Sequence, residues 1–139
     1  MEKGINEFYL EIVTPERLFF EGYVQSLTFN TTSGEMGVLY NALPMVTALK
    51  AGILKIRQNN KWMEASNGEG FIEVRPKKVV IMAQSAEWPY EINVDKVKAE
   101  IDHMSVMMKK EQSLKEYKWA KAQLARHFAR LRLKDHDIN

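Results

Sequence analysis

The sequence SGEMGVLYNALPMVTAL, at residues 33–49, decides the fold class. Two glycines near its start permit a sharp bend or bulge, because glycine adopts positive φ at little cost. Pro44 interrupts the apolar run that follows, and proline has no N–H to donate to a sheet. We therefore predict two short β-strands joined by a loop at a sheet edge. Leu43 and Met45 in that loop either enter the core or face a partner protein.

The segments on both sides of this stretch have the period-two alternation of β-strands. Phe8, Leu10 and Ile12 alternate with other residues in the first segment, as expected for a strand with one face in a core. Turn signals such as Pro15 and the pair Asn59–Asn60 separate the segments. Many short strands with turns between them indicate a β-sandwich or a β-barrel.

The period changes to that of α-helices after Pro89. Asn93 is typical of a helix N-cap, and residues 113–116 match a capping box that starts a second helix at Ser113. A short joint predicts an antiparallel helical hairpin. The predicted apolar stripes are Val94, Val97, Ile101, Met104 and Met108 in the first helix and Leu114, Tyr117, Leu124, Phe128 and Leu131 in the second.

The predicted fold class is thus α+β, with an N-terminal antiparallel β-sandwich followed by a C-terminal antiparallel two-helix hairpin. The domain boundaries that we predict are a β domain at 1–86, a linker at 87–92, a helical hairpin at 93–134 and a tail at 135–139. Two isolated helices bury little surface, so their stripes pack on each other, on the β domain or on a partner.

Composition excludes several classes of function. The chain has 139 residues and a net charge of +2. It contains no cysteine, which excludes disulfides, thiol catalysis and cysteine-based metal sites. No apolar run reaches the ~20 residues that span a bilayer, and no signal peptide is visible. The three histidines have no metal-ligand spacing, so we expect exposed titratable side chains and no metal site. We expect the three tryptophans to be packing residues, and no nucleophile, base and orienter occur together to suggest an enzyme.

The second helix is basic. Lys118, Lys121, Arg126 and Arg130 are among its cations, and the last two lie one turn apart on one face. A solvated face is the ordinary interpretation of such a charge run. A nucleic-acid-binding helix is the alternative, since a basic stripe neutralises phosphates, although no aromatic stacking platform accompanies it.

Several motifs resemble the epsilon subunit of F-type ATP synthase. Residues 33–49 are similar to the signature GELGIxPGHAPLxTA at Gly34, Glu35, Gly37, Pro44, Thr47 and Ala48. Residues 12–16, 20–22 and 70–76 are similar to further segments of that family. The resemblance implies a ten-stranded sandwich that binds subunit gamma and the c-ring, and a mobile hairpin that inhibits ATP hydrolysis through the alpha and beta subunits. It also implies a non-catalytic subunit with no required cofactor, peripheral to the cytoplasmic face of a bacterial membrane through its complex, and no nucleic acid.

The resemblance also assigns site residues. The loop expected to face the c-ring contributes Glu35, Ala42, Leu43 and Met45, although residues 40–43 depart from the usual Pro-Gly-His-Ala. The regulatory basic helix contributes Lys118, Lys121, Arg126 and Arg130. Some bacterial members bind regulatory ATP, and the matching positions here are Glu87, Ile92, Asn93, Lys96, Arg126 and Arg130. Asn93 and Lys96 replace an Asp and an Arg of the family motif, so any ATP binding is expected to be weak.

Overall fold

The computed structural model describes residues 4–109 and 114–138, which form ten β-strands and two α-helices. The strands are β1 Phe8–Val13, β2 Leu18–Val24, β3 Ser26–Thr31, β4 Gly34–Leu39, β5 Met45–Leu49, β6 Gly52–Gln58, β7 Lys61–Asn67, β8 Gly70–Val74, β9 Lys78–Ala83 and β10 Ala86–Glu87. A short 3₁₀ helix follows at Pro89–Glu91, and the α-helices are α1 Val94–Lys109 and α2 Leu114–Ile138.

The strands form two five-stranded sheets. The first sheet has the order β2-β1-β9-β8-β5 and the second the order β10-β7-β6-β3-β4. This confirms the predicted β-sandwich, with one difference: β1 and β9 pair in parallel, whereas a wholly antiparallel sandwich was expected. Between β1 and β9 the chain crosses to the second sheet and contributes β3, β4, β6 and β7 to it. Strand β9 then lies beside β1 and runs in the same direction. Such a long crossover is what permits a parallel pair.

The sandwich core lies between the sheets. Phe8, Leu10 and Ile12 are fully buried, as their alternation predicts. Leu27 and Phe29 of β3 are buried opposite them in the second sheet. The core continues through β6, β8 and β9, so the sandwich has one contiguous apolar interior of its own.

The turns predicted from sequence occur where expected. Asn59 and Asn60 both have positive φ, 52° and 62°, and connect β6 to β7 in a tight hairpin. Pro44 lies just before β5, which is the edge strand of the first sheet. Gly34 has a φ of 114° at the start of the opposite edge strand, β4.

Helix α1 begins as predicted, and helix α2 ends later than predicted. The Asn93 side chain accepts a hydrogen bond from the Lys96 backbone N–H at 3.1 Å, which confirms the predicted N-cap of α1. Helix α2 continues to Ile138, so the predicted tail at 135–139 is wrong as far as 138. The predicted capping box at Ser113 lies outside the described residues. The predicted linker contains β10 and the 3₁₀ helix, and β10 crosses the boundary placed at residue 86.

The buried face of α2 differs from the predicted stripe. Tyr117 and Phe128 are about half exposed, whereas Ala120, Ala129 and Leu133 are buried. Helix α2 packs simultaneously on α1 and on β6 and β7. Close approach to two surfaces selects the small side chains for the contact and leaves bulky ones at its rim. Periodicity alone cannot reveal this second surface.

Of the three tryptophans, one packs on the sandwich core and two are half exposed. Trp88 stacks on Phe19 with ring centroids 4.5 Å apart and packs on the sandwich core, as predicted. Trp62 and Trp119 are half exposed, so the prediction of packing residues is wrong for these two. Trp62 instead has the Arg57 guanidinium over its ring at 5.8 Å.

Candidate regulatory site between the hairpin and the sandwich

A cleft of about 730 Å³ lies where the hairpin meets the sandwich. The turn between β1 and β2 forms one wall, β10 forms a second, and the two helices close the remaining sides. Its charged lining residues are Glu16, Arg17, Glu87, Glu91, Lys96, Glu100, Arg126 and Arg130, together with His127. Sequence-distant segments thus meet here only because the hairpin is docked.

Local backbone features allow α2 to approach the second sheet closely. Gly68, at the β7–β8 turn, has no side chain, and a Cβ there would lie 3.6 Å from the Arg126 Cδ and 2.8 Å from the Ser85 hydroxyl. Ala86 pairs with Asn67 of β7, which fixes β10 at the sheet edge. Glu87 follows directly, so its carboxylate is presented to α2.

Arg130 is the centre of the site. Its side chain is only 7% exposed, and each of its three guanidinium nitrogens lies within 3.2 Å of a partner. Nη2 donates a hydrogen bond to Glu87 Oε2 at 3.1 Å, and Nε makes a close ion contact with Glu87 Oε1 at 2.6 Å. Nη1 donates to Glu100 Oε2 at 3.2 Å. One arginine therefore ties α2 to both β10 and α1, with carboxylates on each side.

His127 completes the same cluster. Its Nδ1 lies 3.0 Å from Arg130 Nη1 and 3.2 Å from Glu100 Oε2. The residue is buried, which corrects the expectation that all three histidines are exposed. Burial lowers the pKa of the imidazole, Glu100 raises it, and the charges of Arg126 and Arg130 lower it further, with a net lowering from 6.5.

Arg126 lies beside the cluster with weaker partners. Its Nη2 is 3.9 Å from Glu87 Oε1, and its Nη1 donates to the Gln123 side chain at 3.3 Å. Burial and the neighbouring Arg130 charge lower the pKa of this guanidinium, and Glu87 opposes them. Two arginines thus share the Glu87 carboxylate, and Arg130 has the better geometry.

A second ion pair closes the opposite wall. Arg17 Nη2 lies 2.8 Å from Glu91 Oε2 and also donates to the Ala86 carbonyl at 3.2 Å. The hydrogen bond from Arg17 lowers the pKa of the Glu91 carboxyl, although partial burial acts in the opposite direction. The same hydrogen bond raises the pKa of Arg17.

The structure brings together only part of the predicted nucleotide-binding set. Glu87, Arg126 and Arg130 are in contact, and Lys96 lines the same cleft. Ile92 is buried in a small apolar cluster under the hairpin, and the Asn93 side chain is occupied as the α1 cap. These two residues have structural roles.

The charges in the cleft do not fit a triphosphate in this arrangement. The nitrogens of Arg130 already contact carboxylates, and Glu16, Glu87, Glu91 and Glu100 balance the four Lys and Arg side chains in the lining. A phosphate chain would have to displace Glu100 or Glu87 from Arg130. Such a ligand would also meet like charge from the displaced carboxylates.

The basic helix is divided between two environments. Lys118 and Lys121 are exposed, whereas Arg130 is buried and Arg126 faces the sandwich. Arg126 and Arg130 share one helix face, as predicted, but the ordinary interpretation of a solvated face is wrong for these two, because carboxylates on β10 and α1 draw their side chains inward. The nucleic-acid alternative accordingly loses two of its cations in the docked hairpin.

The loop predicted to face the c-ring shows both of the behaviours considered. Leu43 is 86% exposed, and Glu35 is exposed with Lys55 Nζ at 3.9 Å from its Oε2. Ala42 and Met45 are partly buried against the sandwich core. The loop thus offers Leu43 outward while its neighbours anchor it.

Sequence reasoning missed Glu100 and His127 as site residues. Glu100 is four residues after Lys96 on α1, and His127 is three residues before Arg130 on α2, so each lies on a helix face already singled out. That spacing was the available signal. Their meeting also needed the relative placement of α1 and α2, which no local pattern contains.

Two further properties limit the site. Among the described residues, no group of three or more His, Asp or Glu side chains is arranged to hold a metal ion. Over the same part of the chain, no helix has a stretch that is both long enough and apolar enough to cross a membrane.

A sequence model of the family described as "ATP synthase, Delta/Epsilon chain, beta-sandwich domain" matches residues 7–89. The chain belongs to this family. An ATP synthase epsilon chain from Ruminiclostridium cellulolyticum is 42% identical over 124 residues, covering 89% of this chain and 92% of the relative. The matched region of the epsilon-chain relative therefore includes the hairpin as well as the sandwich.

Solved structures agree with the fold. A chain in the Euglena gracilis mitochondrial ATP synthase OSCP/F1/c-ring structure has a TM-score of 0.77 at 19% identity, covering 96% of this chain and 82% of that one. A chain in the Tetrahymena thermophila mitochondrial ATP synthase central stalk and c-ring structure has a TM-score of 0.60 at 15% identity, with 91% and 96% covered. At these identities the likeness shows the fold alone, a sandwich followed by helices.

Proposed function

We propose that this chain is a non-catalytic central-stalk subunit of a rotary ATP synthase. In this proposal the sandwich binds subunit gamma and the c-ring, and the complex places the chain at the cytoplasmic face of a bacterial membrane. The hairpin regulates ATP hydrolysis through the alpha and beta subunits. Family membership supports the assignment, and the uncovered outer face of the first sheet supports the partner surface.

An apolar row crosses that outer face. Leu18, Val13, Met82, Phe71 and Ala48 are aligned across β2, β1, β9, β8 and β5 by the strand registers. Leu18, Met82 and Phe71 are each about half exposed. Five strands at the usual spacing make this row about 19 Å long. The hairpin packs on the second sheet, so the first sheet presents this row without intramolecular cover from α2.

A continuous exposed apolar row is typical of a protein interface. The loop that contains Leu43 connects β4 to β5 and is the part expected to face the c-ring. We therefore assign the apolar row to the other expected partner, subunit gamma. Charged side chains Glu11, Glu21 and Glu73 lie beside the row in the next register and provide a polar rim. An apolar row with acidic residues along one side resembles the core and the rim of a stable protein interface.

The hairpin supports the regulatory part of the proposal. Its apolar contact with the sandwich is a small cluster, separate from the sandwich core, made of Ile53, Ile92, Val97, Ala129 and Leu133. A small separate cluster permits release of the helices without unfolding of the sandwich. Released helices would present Arg126 and Arg130 together with Lys118 and Lys121. Such a basic surface suits acidic residues on the catalytic subunits.

Regulatory ATP is not needed for this proposal. The docked hairpin is held by internal carboxylates at Arg130, and no cofactor is required for the contacts described above. We therefore propose that any nucleotide affinity of the isolated chain is weak.

The experiment is gamma binding with two matched variants. Phe71→Lys places a charge in the apolar row, while Trp62→Lys places one on the outer face of the second sheet; the two side chains are 57% and 56% exposed. We expect Phe71→Lys to weaken gamma binding by roughly tenfold or more, since an interface aromatic contributes about 1.5–3 kcal/mol when buried. Trp62→Lys should bind as the native chain does. Equal effects of the two variants, or no effect of Phe71→Lys, would contradict the assignment of this face.

A further inference from the structure

An ion-pair cluster is formed by Glu87, Glu100, His127 and Arg130. The net charge of this cluster changes when a single proton binds to His127. We propose that this cluster is a pH-sensitive latch, which holds the hairpin docked while His127 is neutral and weakens docking when His127 takes up a proton. The inference concerns the isolated chain and does not depend on assembly into a synthase.

Hydrogen-bond chemistry shows which protonation state of His127 suits its contact with Arg130. A guanidinium has donors only, so Arg130 Nη1 at 3.0 Å from His127 Nδ1 can bond to that nitrogen only when Nδ1 carries no proton. The contact with Arg130 therefore favours the neutral imidazole with its proton on Nε2, whereas an Nδ1–H group would donate to Glu100 Oε2 at 3.2 Å. Protonation at Nδ1 sets two N–H groups against each other at this distance.

The charges of the cluster also indicate that protonation of His127 weakens docking. With neutral His127, the cations Arg126 and Arg130 are matched by the anions Glu87 and Glu100. Protonation adds a third positive charge without adding an anion. Glu100 Oε2 lies 3.2 Å from both His127 Nδ1 and Arg130 Nη1, so a protonated histidine competes with Arg130 for one oxygen.

The other charged groups that line the cleft are two cations and two anions, so together they add no net negative charge to the cluster. On α1, Lys96 adds a further cation. Glu91 of the 3₁₀ helix is paired with Arg17 of the β1–β2 turn, and Glu16 of that turn also lines the cleft. Strands β6 and β7, which α2 also contacts, contribute no titratable side chain to this lining among the described residues. Lys134 of α2 donates to the Pro89 carbonyl, away from His127.

The direction with pH follows from these contacts. Burial, together with the charges of Arg126 and Arg130, outweighs Glu100 and lowers the pKa of His127 in the docked chain below its ordinary value of 6.5. Because the undocked histidine binds the proton more tightly, docking is at full strength above about pH 6.5 and weakens as the pH falls from there toward the docked pKa. Linkage limits the change to about tenfold in the docking constant between pH 7.5 and pH 5.5.

Amide hydrogen exchange of the full chain measures this constant, after correction for the intrinsic pH dependence of exchange. We expect the protection of α2 amides to fall several-fold, and at most about tenfold, between pH 7.5 and pH 5.5. Amides of β8 and β9 should keep their protection, because they lie in the sandwich core. Unchanged α2 protection would overturn the proposal.

Two variants separate the latch from a general effect of acid. His127→Asn retains an acceptor for Arg130 but cannot titrate, so its α2 protection should be independent of pH over this range. His103→Gln removes an exposed histidine from α1 and should behave as the native chain does. If His127→Asn keeps the native pH dependence, or if His103→Gln abolishes it, the latch is not at His127.

A titration of the histidine ring signals decides the case in which His127→Asn undocks at every pH. In the native chain, the His127 signal should titrate below the ordinary value of 6.5. A His127 pKa at or above that ordinary value would overturn the proposal whatever the variant does.

Discussion

Replacing Glu87 by Gln tests whether the buried ion pair holds the hairpin. Arg130 is 7% exposed at its side chain, while Glu87 and Glu100 are 19% and 35% exposed. Removing one partner of a fully buried pair costs about 3–5 kcal/mol, because the remaining charge has no counterion. Here Glu100 remains and water reaches both carboxylates. We therefore expect a loss of about 2 kcal/mol in the free energy of hairpin docking, below the fully buried range.

The assay is the opening free energy of α2 from amide hydrogen exchange at pH 7.5, where His127 is neutral. A loss of 2 kcal/mol corresponds to roughly a 30-fold decrease in α2 protection. Adding Arg130→Met to Glu87→Gln should recover a large part of that loss, because the double variant no longer holds the buried Arg130 charge next to a neutral partner. The free energy of unfolding of the sandwich should be unchanged in both variants.

The matched control is Glu73→Gln in the first sheet. Glu73 pairs with Arg75, which is 70% exposed at its side chain, and such surface pairs contribute about 0–1 kcal/mol. Equal effects of Glu73→Gln and Glu87→Gln on α2 protection would refute the reasoning. A coupling energy below about 0.5 kcal/mol between Glu87 and Arg130 would do the same.

Three further predictions concern other parts of the chain. Leu43→Asp should change the free energy of unfolding by less than about 0.5 kcal/mol, since the side chain is 86% exposed, yet weaken c-ring binding; a destabilised fold in thermal unfolding would contradict this. Asn93→Ala should lose the cap on the Lys96 N–H and lower the protection of the first turn of α1 by about 1 kcal/mol, as read by amide exchange. Arg17 lowers the pKa of Glu91, so its contribution is present above the ordinary pKa near 4.5 and lost as the pH falls through the lower folded value. In urea unfolding, the stability difference between the native chain and Arg17→Ala should therefore shrink from pH 6 to pH 3, and a constant difference would exclude the ion pair.

Local sequence signals determined most of the sandwich. The alternation at Phe8, Leu10 and Ile12 and the paired asparagines at 59–60 predicted buried faces and a hairpin that the structure contains. Both signals act over a few residues, so they need no knowledge of the remaining chain. The parallel pairing of β1 with β9 depends on a crossover through the other sheet, which no short window encodes.

Helix contacts were less predictable for a related reason. Periodicity in α2 identified Phe128 as a contact residue, but the structure buries Ala129 and Leu133 and leaves Phe128 half exposed. A helix that packs against one surface buries its largest apolar side chains, whereas α2 lies against two. His127 was misjudged because its place against Glu100 depends on how α1 packs on α2, which the neighbouring residues do not encode.

The candidate site was predicted in part. The resemblance placed Glu87, Arg126 and Arg130 in one set, and the structure brings them together. It did not predict that Glu100 of α1 would form an ion pair with Arg130 of α2. In the docked hairpin that carboxylate makes Arg130 part of an internal ion pair.

The measurement that tests the central proposal most directly is binding of the full chain to an alpha-beta-gamma complex that lacks epsilon, with the ATP hydrolysis rate recorded in the same samples. A chain that ends after Trp88, which retains β10 and the Trp88–Phe19 stack, is the comparison. We predict that both chains bind through the sandwich and that only the full chain slows hydrolysis. Failure of the full chain to bind would contradict the assignment as a central-stalk subunit, and binding of both chains without inhibition would contradict the regulatory role of the hairpin.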